Sequence, residues 1–99
     1  MTTFVIGNVA AVPDREKMAV YREKVLATLQ AYGGGFAIRG GEFDVLEGGW
    51  HPTHLSVMQF PSAEHARRWY DSPEYAAITP LREGVEMDLI LVDGSGSDA

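Results

Sequence analysis

The sequence predicts one α+β domain, in which a four-stranded antiparallel sheet carries two main helices on a single face. Three observations lead to this class. The length of 99 residues suits one domain. Hydrophobic residues at 45% and charged residues at 22% give the balance of an ordinary globular protein. Finally, strand and helix patterns follow one another along the whole chain.

The first half begins with a strand and a long helix. Phe4–Ala10 is rich in β-forming residues and predicts the first strand. Asp14 offers a carboxylate to the free amides at a helix start. Gly33–Gly35 ends that helix, because glycine adopts the left-handed conformation without a Cβ clash. Between them runs one apolar stripe at steps of three and four, formed by Met18, Tyr21 or Arg22, Val25, Leu29 and Tyr32.

Two further strands follow the helix. Phe36–Arg39 predicts the second strand. We expect this strand to resume at Phe43–Glu47 after a bulge at Gly40 and Gly41. Gly48–Pro52 is typical of a turn, and His54–Phe60 predicts the third strand.

The second half of the chain again predicts helix followed by strand. Ser62 is placed to cap a helix with apolar Ala63, Ala66, Trp69 and Tyr70. Ser72 and Pro73 start a short helix that ends by Pro80, and Val85–Val92 predicts the fourth strand. The order β-α-β-β-α-β is the ferredoxin-like arrangement, in which right-handed crossovers put both helices on one face. We assign residues 1–94 to this domain and residues 95–99 to a flexible tail.

The helix-free face of the sheet is predicted to be apolar. Side chains alternate along a strand, which separates Phe4 and Ile6 from Val5 and Val9, Leu55 and Val57 from Met58 and Phe60, and Met87, Leu89 and Leu91 from Ile90 and Val92. The alternation does not say which set of each strand faces the helices. Leaving about six such side chains in water forgoes on the order of 10 kcal/mol. The net stability of a small domain is only about 5–15 kcal/mol. We therefore expect a homodimer packed sheet to sheet; the alternative is that bulges blur the alternation.

Composition excludes several function classes. The net charge of −6 disfavours binding to nucleic acid or to an anionic membrane. The absence of cysteine removes disulfides and thiolate chemistry. No signal peptide or membrane-spanning run is recognisable, so we expect a cytoplasmic protein. We expect no tightly held cofactor.

Several stretches resemble one known family. They are Tyr32-Gly33-Gly34, Arg39-Gly40-Gly41, Leu46 to Pro52 (LEGGWHP), Phe60-Pro61-Ser62, Ala66 to Tyr75 (ARRWYDSPEY) and Leu81-Arg82. Together they resemble the domain of unknown function 1330 (DUF1330), within the dimeric α/β-barrel superfamily. The resemblance implies a ferredoxin-like protomer and a dimer whose sheets close into a barrel, but it supplies no reaction. Superfamily relatives include cofactor-free monooxygenases and small-molecule isomerases.

Polar residues near the turn after the second strand are candidates for chemistry. Glu47 and His54 can form an acid–base pair, in which the carboxylate fixes the imidazole tautomer. Alternatively, this turn only hydrogen-bonds its own backbone around Trp50. A metal site formed by the same two residues with His51 is permitted by spacing but does not resemble a helix-borne ligand motif, so we assign no metal.

The remaining candidates are cations and aromatic residues. Arg39 lies in an apolar strand, where it either binds an anionic group or pairs with Glu42, Glu47 or an acid of another subunit. Arg82 can bind substrate or fix the segment before the last strand through carbonyl groups or Asp71. The cluster of Trp69, Tyr70 and Tyr75 is either core or ligand box, and a tyrosine hydroxyl can stabilise an oxyanion.

Three functions remain open. The first is a dimer that binds a small organic molecule in a pocket between helices and sheet. The second is a cofactor-independent enzyme for proton transfer or oxygenase-like chemistry, with His54 or Glu47 as base and Arg39 stabilising negative charge. The third is a non-catalytic structural dimer.

Overall fold

The structure is a computed structural model that describes residues 2–94. Its strands are β1 (Thr3–Ala11), β2 (Gly35–Arg39), β3 (Leu55–Phe60) and β4 (Glu86–Asp93). Its helices are α1 (Arg15–Gln30), α2 (Ala63–Tyr70) and α3 (Pro73–Ala76), followed by a 3-10 turn at Thr79–Arg82. The predicted tail, residues 95–99, lies outside the described residues. Within residues 2–94 no helix is long and apolar enough to cross a membrane.

The helix boundaries follow from the caps that the sequence predicts. The Asp14 carboxylate accepts from the amides of Glu16 and Lys17 at 3.1 Å. After α1 the chain reverses at Gly33, whose φ of +79° lies in the left-handed region. The hydroxyls of Ser62 and Ser72 accept from the third amide beyond each, at the starts of α2 and α3.

The four strands form one antiparallel sheet in the order β2-β3-β1-β4. The order of elements along the chain is β-α-β-β-α-β, apart from the short α3 and the 3-10 turn. This arrangement is ferredoxin-like and confirms the predicted fold class.

The predicted continuation of the second strand is wrong. β2 ends at Arg39, and no strand forms at Phe43–Glu47. Arg39 pairs with Ser56, one residue inside the start of β3. The chain beyond Arg39 therefore has almost no partner strand left to extend the ladder. Residues 40–54, here called the 40–54 segment, contain large exposed side chains, among them Leu46 at 94% exposure and Trp50 at 65%.

The structure assigns the two alternating sets of each strand to the two faces of the sheet. The helix-covered face contributes Val5, Val9, Met58 and Phe60 to a core shared with α1, α2 and α3. The register places a second apolar set on the opposite side, here called the open face: Phe4, Ile6, Ile38, Leu55, Val57, Ile90 and Val92. Ile90, near its centre, is 56% exposed. An unassisted protomer therefore leaves much of this apolar surface in water.

Candidate functional site

A cavity of about 240 Å³ lies between α1 and the helix-covered face of the sheet; we call it the α1 cavity. Most of its wall is apolar, formed by Val9, Met18, Val25, Phe36, Met58, Met87 and Leu89. Gly7 lies at the wall in the middle of β1, where a Cβ atom would come within 2.9 Å of the Leu89 side chain. The remaining lining groups are polar: Tyr21, Arg22, Arg39, His54 and Ser56.

Arg39 reaches this cavity because the register of β2 shifts between Phe36 and Ile38. The shift pairs Arg39 with Ser56 on the helix-covered face. Its guanidinium donates to the carbonyl of Arg22 and lies 4.5 Å from the centre of the Phe36 ring. One carbonyl and one aromatic face therefore hold the cation in place.

The partners predicted for Arg39 within its own chain are wrong. Glu42 and Glu47 lie exposed in the 40–54 segment. Among residues 2–94, the single ion pair joins Arg68 to Glu64 on the surface of α2. The register shift explains the difference, since it directs Arg39 towards α1.

His54 lines the same cavity from the residue before β3. The Asn8 side-chain oxygen accepts from the amides of Thr53 and His54 at 2.9 and 3.1 Å. The amide of Val9 donates to the His54 carbonyl at 3.0 Å. Gly40 lies against the imidazole, and a Cβ atom there would fall 2.4 Å from its Cε1 atom. His54 is thus fixed by β1 on one side and by a glycine on the other.

A buried polar cluster borders the cavity near α3. The hydroxyls of Tyr21 and Tyr75 are hydrogen-bonded at 2.8 Å. The Arg82 guanidinium lies 5.8 Å from the Tyr75 ring centre and donates to the Met87 sulfur at 3.3 Å, rather than to Asp71. Burial, and then the neighbouring Tyr75, raise the pKa of Tyr21 well above its ordinary value. The Tyr21 hydroxyl therefore remains protonated at neutral pH.

The aromatic candidates divide between core and surface. Trp69 is buried with its ring centre 4.3 Å from that of Tyr75, and its Nε1 donates to the Thr28 hydroxyl at 3.0 Å. Tyr70 is about half exposed. Trp69 and Tyr70 border a separate depression between α2 and β4. Neither they nor Tyr75 lines the α1 cavity.

The structure thus brings together two of the predicted site residues, Arg39 and His54. Glu47 is exposed and does not line the α1 cavity. No group of three potential metal ligands converges within residues 2–94. Sequence reasoning did not select Tyr21, Arg22 or Ser56 as site residues. The stripe of α1 already contained the first two, but no sequence pattern shows which part of a helix leaves space above a sheet.

The comparisons with known proteins agree with this architecture. The chain matches the family model "Domain of unknown function (DUF1330)" over residues 2–95. The RPA0582 protein of unknown function from Rhodopseudomonas palustris is a similar solved structure, with a TM-score of 0.69 and 21% identity. That match covers 92% of this chain and 80% of that one. A search of curated proteins found no significant match.

Two more distant structures share the fold. SnoaB from Streptomyces nogalater, a cofactor-independent oxygenase, is 14% identical with a TM-score of 0.56. The match covers 91% of this chain and 88% of SnoaB. A dimeric protein of unknown function with a ferredoxin-like fold, from Bacteroides fragilis, is 8% identical with a TM-score of 0.51. There the coverage is 93% of this chain and 94% of that one.

At these identities the structural matches establish the fold alone. The family match is different, because it extends over nearly the whole chain. The protein therefore belongs to the family described as a domain of unknown function, DUF1330.

Proposed function

We propose that this protein binds a small organic molecule in the α1 cavity. The observation that carries the proposal is the cavity itself, whose apolar walls surround a few polar groups from β2, β3 and α1. This combination is typical of small-molecule sites. Its volume of about 240 Å³ lies just below the range of about 300–1,000 Å³ that suits drug-sized ligands. The ligand is therefore small.

A fragment screen tests this proposal. Small aromatic and aliphatic fragments are added to ¹⁵N-labelled protein, and we expect chemical-shift changes at the amides of Ser56, Met58 and Leu89. Ser56 faces the cavity from β3, so Ser56→Leu fills the space. The matched variant Ser56→Ala leaves the space open. Binding that S56L abolishes and S56A retains supports the proposal. A failure of every fragment to perturb these amides would favour the purely structural dimer.

We further propose that the protein acts as a homodimer closed over the open face. The exposed apolar side chains of that face support this assembly. So does the fold shared with a protein described as dimeric. Ile90→Lys introduces a charge at the centre of the open face, and Ala27→Lys introduces the same charge on the exposed side of α1. Sedimentation should show monomers for I90K and dimers for A27K and the wild type. A wild-type protein that stays monomeric at high concentration contradicts the dimer.

Proton transfer on the bound molecule is the second candidate function. His54 supports it, because His54 and Arg39 line the same cavity. An imidazole can take a proton from the substrate while a nearby guanidinium stabilises the negative charge that forms. The shared fold with a cofactor-independent oxygenase is compatible with this chemistry. Glu47, the other proposed base, has no place in the cavity wall.

This second candidate has its own experiment. Once a fragment class that binds is known, its exchange of acidic C–H protons with deuterated solvent is followed by NMR. We expect His54→Gln to abolish the exchange while ligand binding persists. Exchange at the wild-type rate in H54Q would exclude His54 as the base.

A further inference from the structure

We propose that the ligand of the α1 cavity is a small carboxylate with an apolar body, bound through the guanidinium of Arg39. This inference rests on the proposed small-molecule function and names the chemical class that the site selects.

The charges around the cavity favour an anionic ligand. The chain has 14 acidic residues and a net charge of −6. Yet neither aspartate nor glutamate occurs among the side chains that line the cavity. Its ionisable lining groups are Arg22, Arg39, His54 and the protonated Tyr21. In a protein that is acidic overall, the lining of this cavity thus contains two arginines and no carboxylate.

The contacts of Arg39 leave its guanidinium able to bind a carboxylate. A guanidinium has five N–H donors in a planar fork. In the structure, Arg39 donates to the carbonyl of Arg22 and covers the Phe36 ring. Within residues 2–94 no carboxylate forms an ion pair with it. These contacts orient the guanidinium at the cavity and leave donors for an incoming group. A carboxylate matches this fork with two parallel hydrogen bonds.

The walls of the cavity favour a ligand with an apolar body. Val25, Met58 and Leu89 belong to an apolar lining that a bare inorganic anion would leave without contacts. Burying apolar surface of the ligand against them adds affinity that phosphate or chloride cannot gain. The ligand therefore combines one anionic end with a compact hydrocarbon or aromatic portion.

Benzoate and benzamide provide the test, because they have nearly the same shape and only benzoate is charged. Their Kd values are measured by NMR titration of the wild type, Arg39→Gln and Arg68→Gln. Arg68 lies on the exposed surface of α2 and serves as the matched control. Charge-assisted hydrogen bonds are strong enough that R39Q should weaken benzoate binding about tenfold or more. We expect R68Q to bind benzoate like the wild type and benzamide to bind weakly to all three proteins.

The possible outcomes separate this inference from the function on which it rests. Equal binding of benzoate and benzamide, with shifts at the cavity amides, overturns the anionic class and leaves the small-molecule function intact. Binding of neither probe, together with failure of the fragment screen, overturns both. Inorganic phosphate that displaces benzoate at equal concentration overturns the requirement for an apolar body. A loss of benzoate affinity in R39Q alone supports the inference.

Discussion

The hydroxyl oxygens of Tyr21 and Tyr75 lie 2.8 Å apart, in a buried hydrogen bond that joins α1 to α3 across 54 positions of sequence. Tyr21 also lines the α1 cavity. Tyr75 packs against Trp69 in the aromatic core, with ring centres 4.3 Å apart. This single bond therefore connects the wall of the candidate site to the packing of α2 and α3.

Removal of either hydroxyl should destabilise the protein. In Tyr75→Phe the buried hydroxyl of Tyr21 loses its partner, and an unpaired buried hydroxyl costs about 1–3 kcal/mol. The double variant Y21F/Y75F should lose less than the sum of the two single variants, because neither hydroxyl is then left unpaired. Urea denaturation measures the three free energies of unfolding. Tyr70→Phe, on a half-exposed ring, is the control and should change stability little. Additive losses in the double variant would show that the two hydroxyls are not coupled.

Alkaline pH should destabilise the wild type more than Tyr21→Phe. The pKa of Tyr21 in the folded protein is raised above its ordinary value of 10.0, chiefly by burial. The unfolded chain then releases this proton first, so stability from the protonated hydroxyl is complete below about pH 10 and is lost as the pH rises further. Between pH 8 and pH values above 10, the free energy of unfolding should therefore fall more steeply for the wild type than for Y21F. Parallel slopes for both proteins would contradict a raised pKa.

Thr28→Val should destabilise the core beneath α2. The Thr28 hydroxyl accepts from Trp69 Nε1 at 3.0 Å and donates to the Val25 carbonyl at 2.6 Å. Valine has the same shape but leaves the indole N–H unpaired in a buried place, at a cost of about 1–3 kcal/mol. Thr79→Val removes a hydroxyl that only donates to the Ala76 carbonyl near the surface. Thermal denaturation should show a clear loss of Tm for T28V and a smaller one for T79V.

Gly40→Ala should disturb the position of His54. Gly40 has φ of +68°, and an added Cβ atom would lie 2.4 Å from the imidazole Cε1. Gly48→Ala is a matched control, because Gly48 has φ of +90° with open space around its Cβ position. Both variants carry the backbone strain of a left-handed residue, about 1–2 kcal/mol.

The two glycine variants should therefore differ in one measurement. Only G40A should shift the imidazole resonances of His54 in a ¹H–¹³C spectrum, and only G40A should weaken fragment binding in the α1 cavity. Identical imidazole spectra for both variants would show that Gly40 does not position the ring.

The sequence by itself determined the order of the elements, the starts of the helices and the separation of each strand into two sets of side chains. Caps at Asp14, Ser62 and Ser72 are local, since each side chain bonds an amide two or three residues away. The alternation that separates Ile90 from Leu89 is equally local, because it follows from the geometry of one strand. These features can be predicted without knowing which distant residues they contact. The family resemblance implied the same fold.

Only the tertiary structure decided which residues line the candidate site. The register shift in β2 turned Arg39 towards α1 and the carbonyl of Arg22, whereas the sequence suggested Glu42 or Glu47 as its partner. The same pairing left Phe43–Glu47 without a strand partner and kept Glu47 out of the cavity wall. Register and cavity shape depend on how distant segments pack, and local spacing carries no information about either.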